Sequence, residues 1–143
     1  MNIVLDANLV ASLVIPLPYS DPATALILDW KRQGATFAAP ALWSYEVSTV
    51  LRKAVVAGYL PQDELDFALE QIWKIHIEAV PANLALHRQA LIWAERLGQS
   101  KTYDSAYLAV AESLQADFWT ADRSLAHSAQ RAGAGWVRSI LDN

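Results

Sequence analysis

The sequence predicts an α/β domain in which a short parallel sheet is covered by helices on both faces. Three observations lead there. Short β-prone runs alternate with amphipathic helical runs along the whole chain, the order that builds parallel βαβ units. Hydrophobic residues make up 54% of the chain and charged residues only 18%, which calls for a dense core and excludes disorder. Gly and Pro punctuate the joints instead of gathering into a linker, and no repeat or low-complexity tract interrupts the pattern. The 143 residues are therefore expected to form a single domain spanning 1–143.

Residues 2–6, NIVLD, read as a buried strand ending in an acid. DANLVASLVI continues as a helix, with Leu9 and Leu13, and Val10 and Val14, at helical spacing until Pro16 and Pro18 break it. Asp21-Pro22 starts the next helix and Gly34 closes it. Residues 36–39 are a second strand, stopped by Pro40. Residues 42–57 form a strong helix with Leu42, Trp43, Val47, Val50, Leu51 and Ala54 on one face and Ser44, Ser48 and Arg52 on the other. Glu46 falls on the apolar side, a costly place for a carboxylate unless something there wants its charge.

Gly58 caps that helix, and Pro61 opens another that runs to about His76. Ile77–Val80 reads as a third strand, and residues 83–97 as an amphipathic helix ended by Gly98. Tyr103, Tyr107, Val110, Ala111 and Leu114 have the spacing of a further helix, and Phe118 to Thr120 is a short strand bounded by acids. Residues 124–132 are a helix and residues 136–140 a last strand.

Composition narrows the chemistry. There are no cysteines, which excludes disulfides, thiolate zinc sites and thiol nucleophiles and suits a reducing cytosol. The apolar N-terminus is interrupted by Asp6 and Asn8, no Lys or Arg precedes it, and it falls short of a span, so a soluble cytoplasmic protein is expected. A net charge of −4 argues against a broad basic face for nucleic acid, so any such contact is local.

Right-handed crossovers put every strand's carboxyl end on one edge. Asp6 and Asp122 lie at such ends, while Glu46 and Asp104 lie in the first turns of helices that follow. Two unit charges about 5 Å apart at an effective dielectric near 20 repel by roughly 3 kcal/mol. Four such groups therefore need a divalent cation to stay ionised together. Oxygen ligands without Cys or paired His select Mg²⁺ or Mn²⁺ over Zn²⁺. Such an ion suits phosphoryl chemistry, with a water attacking in line and no covalent intermediate. Asn8 is placed to orient a carboxylate or a water beside Asp6, and Thr120 to do so for Asp122. Lys101, Arg52, Lys53 and Arg123 lie near these acids in sequence and are candidates for phosphate contact.

Singly, each acid also has a plain structural role. Asp6 can start an Asx turn, Asp122 can cap a helix, and Asp104 can complement a helix dipole. His76, His87 and His127 lack ligand spacing. Trp30, Trp43, Trp73 and Trp93 sit on helical apolar faces and are assigned to the core.

Four segments, IVLDAN, PALWSYEVSTVLRKA, YDSAYLAVAE and FWTADRSL, resemble in order and spacing the four acidic motifs of the PIN-domain family. Over its whole length the chain is similar to the VapC-type toxins of bacterial toxin-antitoxin pairs. The resemblance implies a three-layer α/β/α sandwich and Mg²⁺- or Mn²⁺-dependent cleavage of single-stranded RNA by Asp6, Glu46, Asp104 and Asp122. It also implies a homodimer and a cognate antitoxin whose tail covers the site. Ala7 departs from the family pattern, which often carries Ser or Thr after the first acid. The alternatives are a PIN nuclease of RNA maturation outside any toxin pair, and an RNA- or protein-binding module that kept the fold and lost catalysis. An aspartyl phosphatase ranks lower, because DAN lacks the second acid of a DxD motif.

Overall fold

A computed structural model of the chain describes residues 1–142. Five strands, β1 (Asn2–Leu5), β2 (Thr36–Pro40), β3 (Ile77–Val80), β4 (Asp117–Thr120) and β5 (Val137–Ser139), form one sheet in the order β3-β2-β1-β4-β5. Every neighbouring pair is parallel, with Leu5 opposite Trp119 and Val4 opposite Ala38. Among the described residues seven α-helices connect them: α1 (Ala7–Ala11), α2 (Ser20–Arg32), α3 (Trp43–Ala57), α4 (Leu65–Trp73), α5 (Leu84–Leu97), α6 (Tyr103–Leu114) and α7 (Arg123–Arg131). Right-handed crossovers leave α1–α4 on one face and α5–α7 on the other, with α1 packed on α3 and α5 on α6. This is the three-layer α/β/α arrangement expected.

The central strands are buried because both faces are covered: Ile3, Val4 and Leu5 of β1 and Phe118 of β4 are all within the core. From the sheet the core continues into Leu9, Val10, Val47, Leu51, Tyr107 and Leu108 of the helices above and below it. Among the described residues no helix is long and apolar enough to cross a membrane.

Four expectations are corrected. The first helix is a single turn and a half, Ala7–Ala11, after which tight turn bonds from Leu13 to Val10 and from Val14 to Ala11 lead into Pro16. A residue before proline avoids the helical region, so the chain leaves the helix early. The helix expected over 61–76 divides into a 3₁₀ turn at Gln62–Glu64 and α4, and it has ended before His76, which takes a left-handed φ of 62°. Trp73, the last residue of α4, is 58% exposed and lies stacked on buried Trp43 with ring centroids 5.6 Å apart. The final strand is only Val137–Ser139, because Ile140 already belongs to a 3₁₀ turn whose Leu141 carbonyl accepts a hydrogen bond from Arg123.

Candidate active site

The sheet grows from β1 toward β2 and β3, then returns to the other side of β1 with β4 and β5. The reversal falls between β1 and β4, and the crevice beyond their carboxyl ends is where ligands bind in open α/β sheets. Asp6 follows the last residue of β1 and Asp122 lies two residues beyond the end of β4.

One hydroxyl joins these two acids. Thr120, the last residue of β4 and wholly buried, donates from Oγ1 to Asp6 Oδ2 at 2.5 Å. The same oxygen accepts the Asp122 backbone N–H at 3.0 Å. Thr120 therefore holds the side chain of Asp6 and the backbone of Asp122. Asp6 Oδ1 accepts the Asn8 backbone N–H at 3.4 Å and caps α1, while Asp122 Oδ1 accepts the Leu125 N–H at 3.0 Å and caps α7. The capping roles read from the sequence are thus real and coexist with the clustering. Asn8 touches Asp6 through its backbone, and its exposed side chain makes no hydrogen bond among the described residues.

The other two acids come from helix first turns. Glu46, half-buried near the start of α3, accepts the Tyr107 hydroxyl proton at Oε1 over 2.7 Å. Asp104, in the first turn of α6, accepts from Gln99 Nε2 at 3.2 Å. Tyr107 is only 2% exposed and its ring stacks on Phe118 of β4 at 5.4 Å, so its hydroxyl is fixed by the core.

The electrostatics show that the four acids share one region. Burial, opposed by hydrogen bonds from Thr120 and Asn8 and reinforced by the charges of Asp104 and Asp122, pushes Asp6 up to about 6. Burial also raises Glu46, against the Tyr107 hydrogen bond and with the charges of Asp6 and Asp104. It raises Asp104 against Gln99 and with the charge of Asp122. Tyr107 is held well above the usual tyrosine range by its burial and by Asp6 and Glu46.

Among the described residues no ion pair relieves this. The ion pairs among the described residues are Arg123 with Asp142, His127 with Asp142 and Arg138 with Asp117, none of which involves the four acids. Among the described residues no three or more His, Cys, Asp or Glu side chains stand close enough to hold a metal ion between them. The donor set, four carboxylates with neutral hydrogen-bond partners, nevertheless matches Mg²⁺ or Mn²⁺, and Mg²⁺ ordinarily keeps several waters while binding one or two carboxylates directly.

The basic candidates separate. Lys101 lies with Glu46 and Asp104 around one cleft, and Lys53 with Glu46 around another, whereas Arg52 is exposed and lines neither. Arg123 is engaged at the C-terminal turn, with its guanidinium on Asp142 and on the Leu141 carbonyl. Tyr107 and Gln99 were missed as site residues. Tyr107 carried a signal, since three residues after Asp104 on a helix places it on the same side. Gln99 carried none, because only the loop before α6 turns it back toward Asp104.

A reversed parallel sheet whose rim gathers four unneutralised carboxylates is the setting in which the family match falls. The chain belongs to the PIN domain family, whose model matches residues 4–132. It is similar to ribonuclease VapC3 of Pyrobaculum aerophilum, at 31% identity over 132 residues covering 88% of this chain and 93% of that protein. Its fold is similar to that of PAE2754 from Pyrobaculum aerophilum, with a TM-score of 0.68 and 19% identity over 99% of this chain and 85% of that one. It is equally similar to VapBC2 of Rickettsia felis, solved bound to a DNA fragment from its promoter, with a TM-score of 0.68 and 13% identity over 97% and 98% of the two chains.

Proposed function

We propose that this protein is a metal-dependent endoribonuclease that hydrolyses RNA phosphodiesters as the toxin of a toxin-antitoxin pair. The observation that carries the reading is the rim itself: Asp6, Glu46 and Asp104 are raised by burial and by the charges of neighbouring acids, and no ion pair among the described residues involves them. Membership of the PIN domain family and similarity to a ribonuclease support it.

In this reading Asp6, Glu46, Asp104 and Asp122 hold Mg²⁺ or Mn²⁺, either directly or through its waters. When bound, such an ion neutralises charge on the phosphate and makes a water more acidic. The chain's own groups set the geometry. Thr120 holds Asp6 and the Asp122 backbone, Tyr107 fixes Glu46, and Gln99 fixes Asp104 through neutral donors that leave each carboxylate its charge.

An antitoxin partner is supported by the toxin-antitoxin assemblies among the fold's neighbours, and by an apolar cleft of about 430 Å³ between α2 and α4 lined by Leu13, Ile27, Leu28 and Phe67. A homodimer is supported by Leu84, Leu91 and Ile92, large apolar residues that α5 leaves exposed.

The test is cleavage of single-stranded RNA with Mg²⁺ by the wild type and Asp104→Asn, with EDTA as control. The variant should lose at least about a hundredfold in rate, since an ion of this kind supplies several kcal/mol and each 1.36 kcal/mol is tenfold. Equal cleavage by both proteins, or undiminished cleavage in EDTA, removes the mechanism.

A further inference from the structure

Two clefts meet at the acid rim, and their walls have a chemistry that the catalytic reading does not use. One, of about 550 Å³, runs along α3 and is lined by Glu46, Thr49, Lys53, Tyr45 and Tyr103. The other, of about 520 Å³, opens over the loop before α6 and is lined by Glu46, Asp104, Tyr103 and Lys101. Glu46 and Tyr103 belong to both, so the clefts join into one trough with Glu46 at the junction and Asp104 on the second arm.

The trough's contents follow from helix geometry. Glu46, Thr49 and Lys53 stand at i, i+3 and i+7 on α3, which puts them in one line along the wall of the first cleft. Arg52 is turned away from that line and lines neither cleft. Tyr45 is 79% exposed and Tyr103 is 59% exposed, and both line the trough. Each presents its ring beside the rim, and a lysine lies along each arm of the trough: Lys53 in the first, Lys101 in the second. On a protein of net charge −4, this is the local contact that a polyanion needs.

We propose that this trough is the track for single-stranded RNA: a base next to the scissile phosphate stacks on Tyr103, the following base stacks on Tyr45, and Lys53 and Lys101 take phosphates on opposite sides of the break. The proposal rests on the nuclease reading above and adds to it which side chains grip the substrate. Stacking on an aromatic ring is tolerant of sequence because every base has a π-face, and lysines contact phosphate as point charges. The track therefore selects for an unpaired strand, whose bases are free to turn onto the rings, and its rings and lysines are the chain's own groups, present with or without the metal.

The experiment is fluorescence anisotropy of a fluorescein-labelled single-stranded RNA in EDTA, where no cleavage competes, paired with size-exclusion chromatography of every variant. Tyr45→Ala and Tyr103→Ala should each weaken binding by about tenfold or more, while Tyr45→Phe and Tyr103→Phe, which keep the ring, should stay within about threefold of the wild type. Lys53→Ala and Lys101→Ala should each lower the slope of log affinity against log salt by about 0.7. Lys74→Ala, which removes a cation outside both clefts, should change affinity by less than about twofold.

Alanine variants that bind as tightly as the wild type overturn the track. So does a wild type that cleaves RNA with Mg²⁺ yet fails to bind it in EDTA. If Tyr45→Ala keeps its RNA affinity but dissociates a dimer, the rings belong to an interface between copies and the track is equally overturned. In each of these cases the nuclease reading survives. A wild type that neither binds nor cleaves RNA takes both down together.

Discussion

At the carboxyl edge of the sheet and at the C-terminal turn, the chain holds carboxylates in opposite ways. Asp142 accepts Arg123 Nε at 3.0 Å on one oxygen and His127 Nε2 at 2.9 Å on the other. Its carboxyl is held below the usual range, first by the His127 hydrogen bond and then by the charges of His127 and Arg123. Asp6, Glu46 and Asp104 are held by a hydroxyl, a phenol and an amide, and all three are raised. Neutral donors orient a carboxylate without cancelling its charge, whereas cations do both. The C-terminal acid is spent on structure, and no ion pair among the described residues neutralises the rim acids.

The largest effect expected from breaking this contrast is at Asp6. Its carboxyl is raised from 3.8 to about 6 on folding, so between those values the folded state binds more protons than the unfolded chain and stability falls as pH rises. Above about 6 the whole cost is present. Asp6→Asn keeps an acceptor for Thr120 and a cap for α1 but removes the charge. In EDTA near pH 8 the variant should melt roughly 5 °C above the wild type, and the difference should vanish toward pH 4. Its RNA cleavage with Mg²⁺ should fall by at least about a hundredfold. Thermal melts across pH check the sign, and a variant that melts at or below the wild type at pH 8 would mean that the rim carries no such strain.

A smaller effect is expected at Tyr107. Tyr107→Phe keeps the stack on Phe118 and deletes only the hydroxyl that fixes Glu46. Groups that orient a metal-holding carboxylate are typically worth tenfold or more in metal affinity. Mn²⁺ titration followed by electron paramagnetic resonance should therefore show binding about tenfold weaker, with the melting temperature within about 3 °C of the wild type. Unchanged Mn²⁺ affinity would make Tyr107 a packing residue only.

Much of this was legible in the sequence, and the parts that were not share a cause. Alternating strands and helices gave the layers, and Glu46 stood out because its neighbours Trp43, Val47 and Val50 are apolar. Asp6 and Asp122 were placed at strand ends by local signals. Their meeting across Thr120 was not legible in the same way, because it requires β4 to lie beside β1, a pairing of residues more than a hundred positions apart. Tyr107 follows helical spacing and is buried, as that spacing implies; its hydroxyl matters because it reaches Glu46 near the start of α3. Trp73 was read as core by the same rule and is not, since α4 stops at that residue and the chain turns off toward β3. Periodicity reports which face a side chain takes, and tertiary pairing decides what that face meets.

The smallest effect tests the other half of the contrast. Asp142 has a lowered carboxyl, so its contribution to stability is present above its unfolded value of 3.8 and is lost as pH falls through the lower folded value. Both of its partners are well exposed, so salt screens the pairs and long side chains give up little by leaving them. Asp142→Asn should lower the melting temperature by no more than about 2 °C near neutral pH and low salt, and the difference should shrink in about 1 M salt and at about pH 3. RNA cleavage should match that of the wild type. Differential scanning calorimetry at two salt concentrations checks the first claim and the cleavage assay the second. A loss of cleavage here would show that Arg123, released from Asp142, reaches back to the rim, and the two sets of acids would then be coupled through the first residue of α7 instead of serving separate ends.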